Sequence, residues 1–329
     1  MLSLLAWIYG RVTALRNYLY DKGIFDVHDL GARTISVGNI TVGGTGKTPL
    51  VARIALDLAK KGEKVCILTR GYGRENEAER VLVSDGENVL VDATIGGDEP
   101  VELATKLVGK AFVVADADRV GAAEWAKRKF GITTFVLDDG FQHRKVKRDV
   151  DIVCIDATDP FGSGRILPAG RLREPLDQLA RADVIVITRV EQVDDISDLR
   201  SQISDLAPDA RMIECRTRLT GTPALSAPAG SPRSADGQKV FAFCGLGNPE
   251  SFFALLRQGN LPVVGTKAFR DHQRYGQADI DELEGLARGA EAEALITTAK
   301  DATKLTELDI TVPCYVAEIG IELNETLHL

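Results

Sequence analysis

Cysteine is scarce in this chain and nowhere occurs at the short spacing of a metal site. The 329 residues include five cysteines, none of which forms a C-x-x-C motif. This pattern argues against a structural zinc site. Several of the cysteines stand inside apolar runs, so we expect reduced core residues in a cytosolic compartment.

An excess of positive charge is also missing. The net charge of −8 argues against a nucleic-acid-binding protein, which needs a basic surface. A hydrophobic content of 44% with 27% charged residues describes a folded chain, and its length predicts more than one domain. We expect an N-terminal helix at 1–22, a large domain at 23–217, a linker rich in proline, glycine and serine at 218–238, and a smaller α/β domain at 239–329.

The sequence has no uninterrupted apolar run long enough to span a bilayer, and no signal-peptide cleavage site is evident. The segment Met1–Tyr20 instead predicts an amphipathic helix. Its apolar face comprises Leu4, Leu5, Ile8, Val12, Leu15 and Leu19. Two interpretations stay open. The helix packs on the protein's own core, or it lies in a membrane interface, where aromatic residues such as Trp7 and Tyr18 are typical.

From Thr34 onward, apolar strand-like runs alternate with helical patterns, which predicts a mainly parallel sheet flanked by helices. The predicted strands of the large domain are Thr34–Val37, Lys64–Thr69, Ala111–Ala115, Thr133–Leu137, Asp151–Ile155 and Asp183–Thr188. The predicted helices are Leu50–Lys60, Pro100–Leu107, Ala117–Lys129 and Asp195–Asp205. Ligands of such sheets bind at the carboxyl ends of the strands.

A glycine-rich turn, V-G-G-T-G-K-T-P, lies between the first predicted strand and helix. Backbone N–H groups of Gly43, Gly44, Thr45 and Gly46 can surround phosphate oxygens, and the following helix start adds positive potential. In this pattern Lys47 reaches the β- and γ-phosphates and Thr48 places its hydroxyl on Mg²⁺. Thr41 replaces the first glycine of the usual pattern, so this is a variant loop. The motif predicts a nucleotide site in an α/β, P-loop NTPase-like fold.

Two acidic segments follow other predicted strands. Asp138 and Asp139, in V-L-D-D-G-F-Q-H, fit a magnesium site beside the phosphate loop, although a simple turn would also use Asp-Gly. Asp98, in G-G-D-E-P, either caps the next helix or serves as the general base of a kinase. Both alternatives for Asp98 stay open on sequence alone.

Arginines cluster in the same group of loops, and guanidinium groups suit phosphate. They predict an anionic substrate held by Arg70, Arg74, Arg119, Arg171 and Arg173, with Glu174 pairing an arginine or serving the metal or substrate site. A lone histidine such as His272 is more often structural. The turn Gly245-Leu246-Gly247 gives only weak evidence for a second nucleotide site, and T-T-A-K-D at 297–301 suggests no chemistry by itself.

Together these segments resemble the tetraacyldisaccharide 4′-kinase family. The matching blocks run in order from residue 36 to residue 304: S-V-G-N-I-T-V-G-G-T-G-K-T-P, L-T-R-G-Y-G-R, G-D-E-P, D-D-G-F-Q-H, G-R-I-L-P-A-G-R-L-R-E-P, F-R-D-H-Q-R-Y and T-T-A-K-D-A-T-K. The resemblance implies transfer of the γ-phosphoryl group of ATP, with Mg²⁺, to the 4′-hydroxyl of a lipid A disaccharide precursor, giving lipid IVA.

The resemblance also assigns roles. It implies that Asp98 is the base and that His272 assists it, while Gln273 stands where the family usually has a second histidine. Because the implied substrate is a membrane lipid, it favours the interfacial helix and a place on the cytoplasmic face of the bacterial inner membrane, with no obligate protein partner. A kinase for a soluble anionic substrate and a nucleotide-hydrolysing switch stay open as alternatives.

Overall fold

The computed structural model describes residues 2–228, 230–271 and 273–329. Within them the helices are α1 Leu2–Asp21, α2 Lys47–Lys60, α3 Ala93–Gly96, α4 Asp98–Lys106, α5 Arg119–Phe130, α6 Ser197–Leu206, α7 Pro249–Gln258, α8 Gln277–Gly289 and α9 Ala299–Ala302. The strands are β1 Arg33–Asn39, β2 Val65–Thr69, β3 Val81–Asp85, β4 Ala111–Ala115, β5 Thr134–Asp138, β6 Val150–Asp156, β7 Val184–Thr188, β8 Arg211–Gly221, β9 Ala224–Ser226, β10 Val240–Cys244, β11 Val263–Ala268, β12 Ala294–Thr298 and β13 Cys314–Leu323.

The strands of the described chain join in one sheet, in the order β11-β10-β12-β13-β8-β7-β6-β1-β5-β2-β4-β3, with β9 paired to β13. Strands β8 to β4 of this order run parallel and form what we call the N-terminal block, with β3 antiparallel at its edge. Strands β10 to β13 form a second parallel set, the C-terminal block. The predicted α/β fold with a mainly parallel sheet is confirmed.

The two blocks meet through an antiparallel pair, β8 with β13. Leu219 of β8 faces Ile319 of β13, and β8 continues to Gly221. The stretch 218–238, expected as a linker, therefore contains the end of β8 and all of β9. Residues 218–221 adopt strand conformation because β13 supplies hydrogen-bond partners for their backbone N–H and C=O groups.

Continuous apolar runs form the centre of the N-terminal block because helices cover the sheet. Every residue of β2 and β5 is buried. Helix α2 turns Leu50, Ile54 and Leu58 toward the sheet at helical spacing, and each is at most 1% exposed. Burying a side chain of this kind stabilises the fold by about 1.5–3 kcal/mol.

Two helices begin earlier than the sequence pattern indicated. Helix α2 starts at Lys47 instead of Leu50, and α4 starts at Asp98 instead of Pro100. In both cases a glycine with positive φ precedes the first helical residue, Gly46 at 78° and Gly97 at 93°. The chemically important side chains of both motifs thus lie on the first turn of a helix.

Candidate active site

One cleft of about 720 Å³ collects loops from both blocks. Loops after β1, β2, β5 and β7 line it from the N-terminal block, and loops after β10, β11 and β12 line it from the C-terminal block. A Cβ placed on Gly247 would lie 3.7 Å from Gly43 Cα and from Gly44 N. The Gly245-Leu246-Gly247 turn, considered for a second nucleotide site, therefore lies against the predicted phosphate loop.

The glycine loop between β1 and α2 is held in shape from outside. Thr188 donates from Oγ1 to the Thr45 carbonyl at 2.9 Å, and Arg171 donates from Nη2 to the Val42 carbonyl at 2.9 Å. Within the described chain, no side chain caps the N-terminus of α2. Its first N–H groups are thus available to an anion, which the helix dipole also favours.

A charged cluster stands beside this loop. Lys47 Nζ lies 3.5 Å from Asp139 Oδ1, and Arg173 Nη1 donates to Asp139 Oδ2 at 2.7 Å. Arg119, which is 4% exposed, donates to the Asp139 carbonyl at 3.2 Å. Burial alone would raise the pKa of Asp139, but Lys47 and Arg173 outweigh it and hold that pKa well below the ordinary value. Asp139 is therefore ionised at neutral pH.

The neighbouring carboxyl group behaves in the opposite way. Asp138 is 2% exposed at the end of β5, and burial, together with the charges of Glu99 and Asp139, raises its pKa to about 7. A carboxyl group with a pKa near 7 would lose its proton when a cation binds beside it. Thr48 lines the same cleft.

Asp98 does not cap its helix, so the capping alternative is wrong. The N-cap of α4 is Gly97, and Asp98 is the first residue inside the helix. Its carboxylate Oδ2 lies 2.7 Å from Lys304 Nζ, and Lys304 is 8% exposed. This ion pair joins the two blocks, because Lys304 follows α9 in the C-terminal block.

A second lysine of the same segment also faces carboxylates. Lys300 Nζ lies 3.1 Å from Asp271 Oδ1 and 4.0 Å from Glu99 Oε1. Burial alone would lower the pKa of Lys300, but Glu99 and Asp271 outweigh it and raise that pKa. Lys300 and Lys304 belong to T-T-A-K-D-A-T-K, to which the sequence reasoning assigned no chemistry. The sequence signal that could have identified them is a pair of lysines directly after the carboxyl end of a predicted strand.

The arginines predicted to hold substrate divide into two groups. Arg70, Arg119 and Arg173 line the cleft. Arg74 is 4% exposed and donates to the carbonyls of Ala115 and Glu77. Arg171 braces the glycine loop, as described above. The contacts of Arg74 and Arg171 favour a framework role, and a substrate contact by either stays a prediction.

Glu174 likewise lies apart from the residues that line the cleft. Its side chain is fully buried and accepts hydrogen bonds from Asn17, Gln142 and Arg181. The pairing with an arginine that the sequence suggested is present, as an ion pair of 3.1 Å with Arg181. A direct contact of Glu174 with metal or substrate stays a prediction.

His272 lies outside the described residues. Its neighbour Asp271 lines the cleft, and Gln273 is half-buried beside Gly245, where a Cβ would lie 3.1 Å from Gln273 Cβ. Asp271 thus reaches the candidate site, and the role of His272 stays a prediction.

Helix α1 presents its apolar face outward, so packing of that face on the protein's own core is wrong. Leu4, Val12 and Leu15 are 58–62% exposed, whereas Thr13 and Asn17 on the polar face are buried. The other exposed apolar side chains of this helix and the following turn are Leu2, Leu5, Trp7, Ile8, Tyr9, Tyr18, Ile24, Phe25 and Val27. No helix in the described ranges combines the length and apolarity required to cross a bilayer.

Comparison with known proteins identifies the family. The family described as tetraacyldisaccharide-1-P 4′-kinase matches residues 1–328. The chain belongs to this family. Tetraacyldisaccharide 4′-kinase of Halothermothrix orenii is 39% identical, covering all of this chain and 90% of that protein. The same enzyme of Geobacter metallireducens is 40% identical over 93% of this chain and 88% of its own length.

A solved structure agrees with the family over almost the full fold. The crystal structure described as the "apo" form of LpxK from Aquifex aeolicus in complex with ATP matches with a TM-score of 0.75 and 31% identity. The match covers 98% of this chain and 93% of that one. The blocks on which the resemblance was based thus belong to a family match that extends over the whole chain, and the predicted family is confirmed.

Proposed function

We propose that this kinase transfers the γ-phosphoryl group of ATP to the 4′-hydroxyl of a tetraacylated glucosamine disaccharide 1-phosphate. One observation carries the proposal within the family: the phosphate loop, the start of α4 and the Lys300–Lys304 segment converge at one cleft. Glu99, the residue after Asp98, lines this cleft together with the phosphate loop, and bringing nucleotide, acceptor and a carboxylate base together is the main requirement of phosphoryl transfer.

In the proposed reaction the 4′-oxygen forms a bond to the γ-phosphorus while the bond from the β–γ bridging oxygen breaks and ADP leaves. Asp98 accepts the hydroxyl proton. The Lys304 ammonium lies 2.7 Å from the Asp98 carboxylate and orients it. We assign His272 the assisting role implied by the family resemblance. Lys47 and the N-terminus of α2 stabilise the charge on the transferring group.

The residues at the phosphate loop fit a magnesium ion. Asp138 is buried at the end of β5 and Thr48 lines the same cleft, and carboxylate and hydroxyl oxygens are the ligands that Mg²⁺ prefers. No group of three or more His, Cys, Asp or Glu side chains among the described residues could hold a metal alone. Phosphates and water would therefore complete the coordination. When bound, the ion neutralises phosphate charge.

Of the two carboxylates, we assign the metal contact to Asp138. Both oxygens of Asp139 already face cations, Lys47 and Arg173, whereas the raised pKa of Asp138 marks a carboxyl group that lacks sufficient positive charge. Thr48 would contribute its hydroxyl.

We propose that α1 holds the enzyme on the cytoplasmic face of the inner membrane. Its outward apolar face suits a helix lying in the lipid interface. Tyr9 belongs to this helix and also lines the cleft, so an acceptor lipid could reach the site from the same surface.

Vesicle sedimentation tests the proposed membrane binding of α1. Replacing Leu4 and Val12 together by serine should weaken vesicle binding at least about tenfold, because both side chains lose apolar burial. Leu286→Ser on α8, where Leu286 is 41% exposed, is the matched control.

Phosphate transfer tests the reaction itself. Wild type and Asp98→Ala are incubated with Mg²⁺, labelled ATP and tetraacyldisaccharide 1-phosphate in detergent micelles. We expect label on the lipid with wild type and its loss with the variant. ATP hydrolysis without labelled lipid would contradict the kinase proposal and favour a nucleotide-hydrolysing switch.

A further inference from the structure

The polar face of α1 is anchored by a buried asparagine. Asn17 is 1% exposed, and its Nδ2 donates to Glu174 Oε2 at 2.7 Å and to Gln178 Oε1 at 2.8 Å. The backbone carbonyl of Asn17 accepts a hydrogen bond from Arg144 Nη1 at 2.9 Å. These hydrogen bonds of Asn17 thus attach a helix with an apolar outer face to the rest of the protein, together with the ion pair between Arg144 and Asp21.

Glu174 is the centre of this anchor. Arg181 donates to both carboxylate oxygens at 3.1 Å, and the Arg181 guanidinium lies 4.2 Å from the centroid of the Phe141 ring. Burial alone would raise the pKa of Glu174, but Arg181, Gln142 and Asn17 outweigh it and lower that pKa. A buried carboxylate is costly unless all its bonds form together, so its partners hold their positions cooperatively.

Gln142 extends the anchor to the phosphate site. Its Nε2 donates to Glu174 Oε1 at 2.8 Å and to the Asn39 carbonyl, at the end of β1, at 2.9 Å. Its Oε1 accepts from Arg173 at 3.3 Å, and the same Arg173 nitrogen donates to Asp139. Asp139 in turn pairs with Lys47. Continuous polar contacts therefore run from α1 to the nucleotide-binding lysine.

We propose that Glu174 is a positioning residue that couples the seating of α1 to the arrangement of Arg173, Asp139 and Lys47. The inference rests on the proposed function, since it assumes that nucleotide binds at Lys47. Coupling between two sites is reciprocal. We expect nucleotide bound at the phosphate loop to tighten the docking of α1, and loosening α1 then weakens nucleotide binding by the same factor. A merely structural anchor would show neither effect.

Hydrogen exchange of the α1 amides tests the coupling directly. The full-length protein is measured in detergent micelles, with and without Mg²⁺ and a non-hydrolysable ATP analogue. In wild type we expect the analogue to slow exchange around Asn17 by at least about fivefold, the lower range of typical coupling. Gln142→Met removes the side-chain link between Glu174 and Arg173 but leaves the Asn17–Glu174–Arg181 bonds and the bond from Arg16 to the Gln142 backbone carbonyl in place. We expect α1 in this variant to exchange as in nucleotide-free wild type and to ignore the analogue.

Gln178→Ala is the matched control, because Gln178 contacts Asn17 and Arg181 but has no hydrogen bond to Gln142 in the described structure. It should keep the response to the analogue. The proposal is overturned if wild type shows no slowing although the analogue binds, or if Gln142→Met responds like wild type. If the Glu174→Gln variant folds, its α1 exchange should also be insensitive to the analogue. If Glu174→Gln does not fold, the response of Gln142→Met alone tests the coupling.

This experiment needs neither vesicles nor phosphate transfer. If α1 does not bind membranes, or if the acceptor is a different molecule, the exchange result still stands. If the analogue does not slow α1 exchange but labelled lipid forms, the positioning role of Glu174 is refuted and the proposed kinase reaction still stands.

Discussion

Two carboxylates at the site are held in different ways. Asp139 pairs with Lys47 and Arg173, and all three belong to the N-terminal block. Asp98 also belongs to that block, but its lysine partner, Lys304, comes from the C-terminal block. The phosphate side of the site is thus assembled when one block folds, whereas the base side is complete only where both blocks meet. Binding of nucleotide and placement of the base should therefore be separable by mutation.

The largest effect is expected at the phosphate side. Lys47→Ala removes a cation aimed at the transferring group and should lower kcat/KM by about 10²–10³. Lys60→Ala is the control on the same helix, since the Lys60 side chain is 74% exposed and should leave turnover unchanged. Steady-state kinetics of lipid phosphorylation measure both. A change below about threefold for Lys47→Ala would contradict its assignment.

The second prediction concerns pH and Asp138. Its folded-state pKa of about 7 lies above the unfolded value of 3.8, so the folded protein holds a proton that the unfolded chain has released. This contribution to stability is present below about pH 4 and is lost as the pH rises toward 7. Its slope approaches about 1.4 kcal/mol per pH unit. Urea unfolding of wild type and Asp138→Asn without Mg²⁺ measures it. The free energy of unfolding of Asp138→Asn should not show this decrease with pH. Identical slopes of unfolding free energy against pH in wild type and variant would contradict the raised pKa of Asp138.

The smallest effect is expected at a surface ion pair that also joins the blocks. Arg218 Nε on β8 lies 2.6 Å from Glu322 Oε2 on β13, and both side chains are more than half exposed. Solvent screens such a pair, so Arg218→Met should change the free energy of unfolding by less than about 1 kcal/mol. Urea unfolding measures it. A larger loss would mean that this surface ion pair strengthens the joining of the blocks well beyond the backbone pairing of β8 with β13.

The sequence predicted the phosphate side well because its elements are local. Strand, glycine loop and helix are consecutive there, and Asp138 and Asp139 end a neighbouring apolar strand. The helix boundaries were two or three residues late, since positive φ at Gly46 and Gly97 lets each helix begin earlier.

The base side and the anchor of α1 could not be predicted in this way. Lys304 meets Asp98 across about two hundred residues of sequence, and its position depends on the antiparallel pairing of β8 with β13. Asn17 and Glu174 are similarly distant, and their contact follows from packing that no local pattern encodes. The direction of the apolar face of α1 was also left open, because periodicity defines a face without saying what covers it.

One block holds the nucleotide and the other places the base, and Lys304→Met separates these two contributions. The measurement is ATP affinity together with kcat for lipid phosphorylation, in protein shown to be folded. We predict unchanged ATP affinity with kcat lowered on the order of 10²-fold, because Asp98 loses the group that orients it, and partial recovery in Lys304→Arg. Normal kcat in Lys304→Met, or a loss confined to ATP affinity, would show that the C-terminal block does not place the base.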